Sequence, residues 1–408
     1  MQVKIVIFGF TGDLSKRKLI PALQNIDKVH SIKQIIGVSR REINAQEIIN
    51  GSIGEKNSLA KKTTSVVLDS ELAQYKKFKT DLNLQDDEQL LIFLSVPPNA
   101  LEGYVTLLAK AGLNGKNVKL LIEKPFGTDY NSAVKMFHIL NKYYNPKNVY
   151  KIDHYLLKTP AQKFNNFCLL NPKLTKVLNA KNISQVDVVA YEEIDIQGRK
   201  EFYEQVGCTR DFIQGHLLEI LSVFLAKPVR KNILNSRVKA NSLIKPLRNI
   251  NNVKIGKYQG YDEENNVTSS AETYANFLLF SGDKKWQKVK LFLASGKALS
   301  RKESSVIFKF KNGTEFKVDL TTNVLPTSFV WKNKTINLKG DKEKVYESYE
   351  GVFDAAILGK SNLFSSQEEI LHNWVIINRF LKDAKKLLCV VYPKTTTPEE
   401  MLKLTKSN

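Results

Sequence analysis

Cysteine, histidine and long apolar runs are scarce in this chain, and each scarcity excludes something. The three cysteines, Cys168, Cys208 and Cys389, are too few and too scattered along 408 residues for a disulfide framework or a cysteine-rich metal site. No apolar run approaches the roughly 20 residues that a membrane helix needs, so no membrane partner is expected. Strand-like sequence begins at Val3 and leaves no room for a signal peptide; with so few cysteines, the expected location is cytoplasmic. Blocks of about five or six like charges are missing too. The formal net charge is nevertheless +21, carried by lysines spread over the whole length. A nucleic-acid binder would cluster its basic residues among aromatics. The sequence therefore predicts no nucleic-acid partner, but a lysine-rich surface with attraction for small anions. Only five histidines occur, His30, His138, His154, His216 and His372, and a histidine general base has to be one of them.

With 42% hydrophobic and 25% charged residues, the chain has the material for two domains with sizeable cores. Residues 3–8 read as a buried parallel strand, apolar and rich in β-branched side chains. They run into Gly9-Phe10-Thr11-Gly12-Asp13-Leu14 and then a helical pattern to about residue 26, with a kink expected at Pro21. A glycine turn between strand and helix lets backbone N–H groups approach a pyrophosphate. Its G-x-x-G spacing, taken alone, also suits a plain strand-to-helix turn. A second strand, 34–38, ends at Ser39-Arg40-Arg41. An acidic residue there would suit the ribose 2′-hydroxyl of NAD, whereas arginine suits the 2′-phosphate of NADP. Buried strands at 90–96 and 118–122 follow, with helices at 101–113 and 130–144 and a strand at 148–152. Arg40, Pro97 and Lys124 then gather beyond the carboxyl ends of the strands, where open α/β sheets bind ligands. Residues 1–150 are thus expected to form an α/β Rossmann-type doubly wound dinucleotide-binding domain.

Residues 151–408 read as a larger α+β domain with a mostly antiparallel sheet. A helix is expected at 165–178, strands at 184–191, 271–280, 289–293 and 305–311, and helices again from 368 to 388. Two polar clusters stand out. Lys151-Ile152-Asp153-His154-Tyr155-Leu156-Leu157-Lys158 packs a carboxylate, an imidazole, a phenol and an ammonium into eight residues. In an extended segment Asp153 and His154 would face opposite sides and serve different partners. The helical stretch at 209–221 carries Asp211 and His216.

With these residues in view, the chain resembles the glucose-6-phosphate dehydrogenase family. Gly9-Phe10-Thr11-Gly12-Asp13-Leu14 is similar to the family's coenzyme turn, and Glu123-Lys124-Pro125-Phe126-Gly127 to its second signature. Residues 151–158 resemble its substrate motif, 211–218 the helix of its catalytic histidine, and Ser295-Gly296-Lys297-Ala298-Leu299 its Gly-Lys-Ala-Leu loop. The resemblance implies oxidation of glucose 6-phosphate at C1 with hydride transfer to NADP. It implies His216 as general base supported by Asp153, and His154, Tyr155 and Lys158 as phosphate binders. Lys124, Glu192, Asp211 and Lys297 would hold the sugar or line its junction with the cofactor. Gly9, Thr11, Gly12, Asp13, Leu14, Arg40, Pro97 and Lys124 would contact NADP. It further implies a cis Lys124–Pro125 bond, a homodimer or homotetramer, and no metal.

The chain departs from the family pattern at five places, the first being Lys151 in place of arginine. Leu157 replaces a glycine, and Thr159 an acid. The second basic position is matched by Arg301 or by Lys302, and a sugar-contacting glutamine has no counterpart in Leu320-Thr321-Thr322-Asn323. A relative acting on another phosphorylated hexose, and a non-catalytic NADP- or sugar-phosphate-binding regulator, are the alternative readings.

Overall fold

The inner strands of the first sheet are buried on both faces because helices cover both its sides, and that arrangement organises the first half of the molecule. The structure is a computed structural model; it describes residues 2–322, 324–340 and 348–405. β1 (Gln2–Phe8), β2 (Ile32–Ser39), β3 (Thr63–Val67), β4 (Glu88–Leu94), β5 (Val118–Ile122) and β6 (Val149–Lys151) form one sheet of order β3-β2-β1-β4-β5-β6. All its pairings are parallel, the doubly wound order of dinucleotide-binding folds. Val3, Ile5 and Ile7 of β1 belong to an apolar cluster with Leu19, Leu23, Ala45 and Ile49. Phe8 turns to the other face and meets Tyr75 and Tyr104.

Pro21 acts on its helix earlier than expected. Residues Ser15–Leu19 wind as a π-turn, closed by the Ile20 N–H donating to the Ser15 carbonyl, and a regular helix runs over Ile20–Ile26 with the proline in its first turn. Proline has no N–H to give to the turn before it, so the widened turn precedes it.

Compactness divides the chain differently from a single break at 150/151. One unit comprises the described residues of Met1–Gly127, Asn131–Leu157 and Val345–Ser365; the other those of Thr128–Tyr130, Lys158–Lys344 and Ser366–Asn408. The helix Ser348–Leu358 therefore belongs with the first sheet. Tyr349, Val352, Phe353 and Ala356 join the same apolar cluster as β1, with Phe353 5.9 Å from Phe93 between ring centres. Polar ties fix it as well. Asn25 donates to Glu350, His30 pairs with Asp354 at 2.8 Å, and the buried Lys119 ammonium donates to the carbonyls of Ala356 and Ile357.

The second unit is built on a seven-stranded sheet. Its strands are β7 (Ile183–Tyr191), β8 (Val253–Tyr258), β9 (Tyr274–Leu279), β10 (Lys290–Gly296), β11 (Glu303–Phe310), β12 (Glu315–Asp319) and, after the small hairpin of β13 (Ser328–Trp331) and β14 (Lys334–Asn337), β15 (Cys389–Tyr392). The order is β12-β11-β7-β10-β9-β8-β15. Four neighbour pairs are antiparallel, and β7–β10 and β8–β15 are parallel. The single helix expected at 165–178 is two, Thr159–Leu170 and Pro172–Val177. Pro172 disfavours a helical Asn171, whose side chain instead ties down Lys339. The sequence reading did not pick out Ser348–Leu358 as a helix. Among the described residues no helix is long and apolar enough to cross a membrane.

Candidate active site

In the first unit, the expected dinucleotide contacts lie at the carboxyl edge of the sheet, where β1 and β4 lead to helices on opposite faces. Gly9 leaves β1 with φ +75°, and a Cβ there would lie 2.1 Å from the Ser95 carbonyl oxygen; only glycine fits. Its carbonyl accepts the Gly12 N–H at 2.9 Å and the Ser15 hydroxyl at 3.0 Å, which curls the turn onto the π-turn that starts the helix. Gly12 and Asp13 are exposed, and Thr11 and Leu14 are half-buried. Arg40 is exposed just past β2, as is Pro97 past β4. A turn in which Gly9 and Gly12 lack side chains, helix-terminal N–H groups and an exposed guanidinium at the next strand end fit a phosphorylated dinucleotide.

β5 and β6 end side by side. Ile122 pairs with Lys151, and the Ile152 N–H donates to the Ile122 carbonyl at 2.9 Å, so Glu123-Lys124 and Asp153 leave adjacent parallel strands. Lys124–Pro125 is cis. The extended alternation expected through Asp153 and His154 stops at Ile152. Asp153, 1% exposed, opens a turn instead: its Oδ1 accepts the Tyr155 N–H at 2.9 Å, and its carbonyl accepts that of Leu156 at 3.1 Å. Aspartate favours such turns because its short side chain mimics the backbone. His154 and Tyr155 are half-buried, with ring centres 5.1 Å apart. Leu157 is fully buried in the apolar cluster that holds Val352 and Phe353.

In the second unit Lys158 begins the helix Thr159–Leu170 and donates to the Leu320 carbonyl at 3.0 Å. Asn323 lies outside the described residues. Parallel β7 and β10 end together, Tyr191 beside Gly296, and thereby present Glu192 to Lys297. The Lys297 ammonium, 1% exposed, pairs with Glu192 Oε2 at 2.5 Å and lies 5.6 Å and 5.5 Å from the ring centres of Tyr203 and Phe212. Two aromatic faces and one carboxylate thus replace the water around a buried cation. Glu192 keeps access to solvent. Arg301 is engaged by Glu303 and, through two hydrogen bonds, by Glu399, whereas Lys302 is exposed.

Asp211 and His216 share the stretch Thr209–Leu217, a π-helical segment in which the Leu218 N–H donates to Ile213. A turn of five residues places Asp211 and His216 one hydrogen-bonded step apart, where an α-helix would align Asp211 with Gly215. His216 is 3% exposed and packs edge-on to Phe212. Glu272 starts this segment. Its Oε1 accepts the Thr209 N–H at 2.8 Å and its carbonyl that of Cys208. Gly207, at φ +62°, leaves room for the carboxylate, since a Cβ would approach it to 2.8 Å. Burial pushes the Glu272 carboxyl above its ordinary range against these donors. Neither Glu272 nor the rings of Tyr203 and Phe212 were marked by the sequence, because their roles depend on contacts tens of residues away.

Fold and site together define a dinucleotide-dependent oxidoreductase with a doubly wound coenzyme domain and a mixed-sheet second domain. Two family models match in order: "Glucose-6-phosphate dehydrogenase, NAD binding domain" over residues 6–163 and "Glucose-6-phosphate dehydrogenase, C-terminal domain" over 165–339. The chain belongs to the glucose-6-phosphate dehydrogenase family. It is 27% identical over 397 residues to the glucose-6-phosphate 1-dehydrogenase of Helicobacter pylori, covering 93% of this chain and 92% of that one. Its fold is similar to that of the crystal structure of the Mycobacterium avium enzyme, with a TM-score of 0.85, 24% identity and coverage of 98% and 96%. It is also similar to a glucose-6-phosphate dehydrogenase in complex with glucose-6-phosphate, with a TM-score of 0.86, 21% identity and coverage of 99% and 97%.

Proposed function

We propose that the protein oxidises the C1 hydroxyl of glucose 6-phosphate to 6-phosphoglucono-1,5-lactone with NADP as acceptor, the first step of the oxidative pentose phosphate pathway. The observation that carries this reading is the ordered match of both family domains along the chain. Gly9, Thr11, Gly12, Asp13 and Leu14 hold the pyrophosphate, Pro97 and Lys124 line the coenzyme's edge, and Arg40 pairs with the 2′-phosphate. When bound, NADP supplies the hydride acceptor.

His216 takes the proton of the C1 hydroxyl, and Asp153 supports the positive charge the imidazole then carries. His154, Tyr155 and Lys158 bind the 6-phosphate with charge and donors. Asp211, Glu192 and Lys124 orient the sugar. Lys297 is too deeply buried to lead in this, so it acts by fixing Glu192 from behind. Family membership also supports a homodimer or homotetramer and a cytoplasmic location.

Growth of the reduced-nicotinamide absorbance on mixing protein, NADP and glucose 6-phosphate is the expected result. A flat trace from folded protein with every hexose phosphate and both coenzymes would overturn the reading. A second reading, action on another phosphorylated hexose, is favoured by Leu157 and by the unmatched glutamine. A substrate panel separates the two.

A further inference from the structure

The reaction proposed above leaves unused a pocket of about 720 Å³ in the second unit, where the junction of the helices Thr159–Leu170 and Pro172–Val177 faces the β13–β14 hairpin. Its volume falls in the range of small-molecule sites, roughly 300–1,000 Å³. Leu170, Leu174, Trp331, Ile336 and Leu338 give it an apolar wall. Trp331 packs on Phe310, with ring centres 4.8 Å apart. The buried Asn171 ties the two sides together: its side chain donates to the Lys339 carbonyl at 2.9 Å and accepts the Lys339 N–H at 2.8 Å. The pocket is therefore fixed by packing and by paired hydrogen bonds.

Charge of one sign accompanies that wall. Lys173, Lys332, Lys334 and Lys339 line the pocket and are exposed. The chain has 41 acidic residues, yet residues 154–186 and 320–340, the segments that supply both sides, contain none. Lysines spread over the chain account for a positive surface in general. They do not account for the loss of every acid from the two segments that meet here. A concave apolar surface lined with charge of one sign concentrates ions of the other.

We propose that this pocket binds an amphipathic organic anion, an apolar body bearing one carboxylate or sulfonate group. The body displaces water from Trp331, Leu174 and Ile336, and the anionic group meets the lysine ammonium groups. A small polar anion and a neutral hydrocarbon would each satisfy only half of this surface. The pocket is separate from Lys158, the phosphate binder proposed above. That residue begins the helix Thr159–Leu170, and Leu170 ends it, roughly 18 Å away at about 1.5 Å per residue.

The probe is 8-anilinonaphthalene-1-sulfonate, whose fluorescence rises when it leaves water, titrated into the full chain beside its uncharged counterpart N-phenyl-1-naphthylamine. Wild type should show a saturable component for the sulfonate, tighter than for the neutral probe and weakened by added salt. Joint charge reversal by Lys173→Glu and Lys334→Glu should weaken that component about tenfold or more and leave the neutral probe within about twofold. Lys110→Glu with Lys116→Glu, an equally exposed pair in the first unit, should change neither. In wild type, 2-naphthoate and decanoate should displace the sulfonate where acetate does not, and the stronger competitor tells whether the body is a ring or a chain. The proposal is overturned if no saturable component appears, if both reversals weaken it equally, if the neutral probe binds as tightly as the sulfonate, or if acetate competes as well as naphthoate and decanoate.

Discussion

At the scale of single residues the proposed roles divide between chemistry and binding. His216→Asn should lower kcat by at least the roughly 100-fold typical of a lost general base, with KM little changed. His154→Asn should chiefly raise KM, because phosphate contacts serve ground state and transition state alike. Steady-state kinetics of the two variants check the split, and the reverse pattern would refute it. Arg40→Ala should cut kcat/KM for NADP roughly tenfold or more while sparing NAD, the scale of one charge-assisted contact; paired coenzyme titrations measure it. The candidate site residues could be picked out because polar residues in dense short motifs have few structural excuses. Leu157 was not. Where the family keeps glycine, this leucine fills the apolar cluster under the returning helix, and nothing near it in sequence announces that helix.

Elements were legible where their period was regular and local. All six strands of the first sheet but β3 followed from apolar runs. β3, Thr63–Val67, is a half-exposed edge strand with a mostly polar sequence, and it has no such signal. The π-turns escaped for another reason. A 3.6-residue period and a five-residue turn predict nearly the same apolar positions, yet only the wider turn aligns Asp211 with His216. The long helix Gln367–Asp383 was foreseen, but not what anchors its start. Glu369 closes a capping box with Ser366, and it also takes two hydrogen bonds, 2.6 Å and 2.9 Å, from the buried Arg237 guanidinium. Glu369→Ala should therefore cost about 3–5 kcal/mol by stranding a buried charge. Denaturant unfolding of the variant tests this, and a loss under about 1 kcal/mol, the value of a cap alone, would contradict it.

For the molecule as a whole, acid resistance should depend on Glu88. It is 1% exposed and takes ion pairs from Lys33 and Lys4 and the Gln85 N–H. Burial alone would raise its carboxyl, but these donors outweigh it and hold the group down at about 2, against an ordinary 4.5. A depressed acid stabilises the fold above its unfolded value and loses that contribution as pH falls toward the folded one. Thermal unfolding of the wild type should weaken between about pH 4.5 and 2 more than that of Glu88→Gln; parallel curves would exclude the effect.

The two-unit plan was readable from composition and period, but its boundaries were not, since the first unit is completed by a helix near residue 350. That return has a consequence for synthesis. A growing chain emerges from the ribosome N-terminus first, and domains ordinarily fold in that order. Here Val3, Ile5, Phe93 and Leu157 wait for Tyr349, Val352 and Phe353 to cover them, almost 200 residues after Leu157 is made. A fragment ending near residue 157 should thus be translated with an open apolar face and aggregate. Fusing residues 345–365 to it through a flexible linker should restore solubility, and ribosome-stalled chains of increasing length should gain protease resistance in the first sheet only after residue 365 has cleared the exit tunnel.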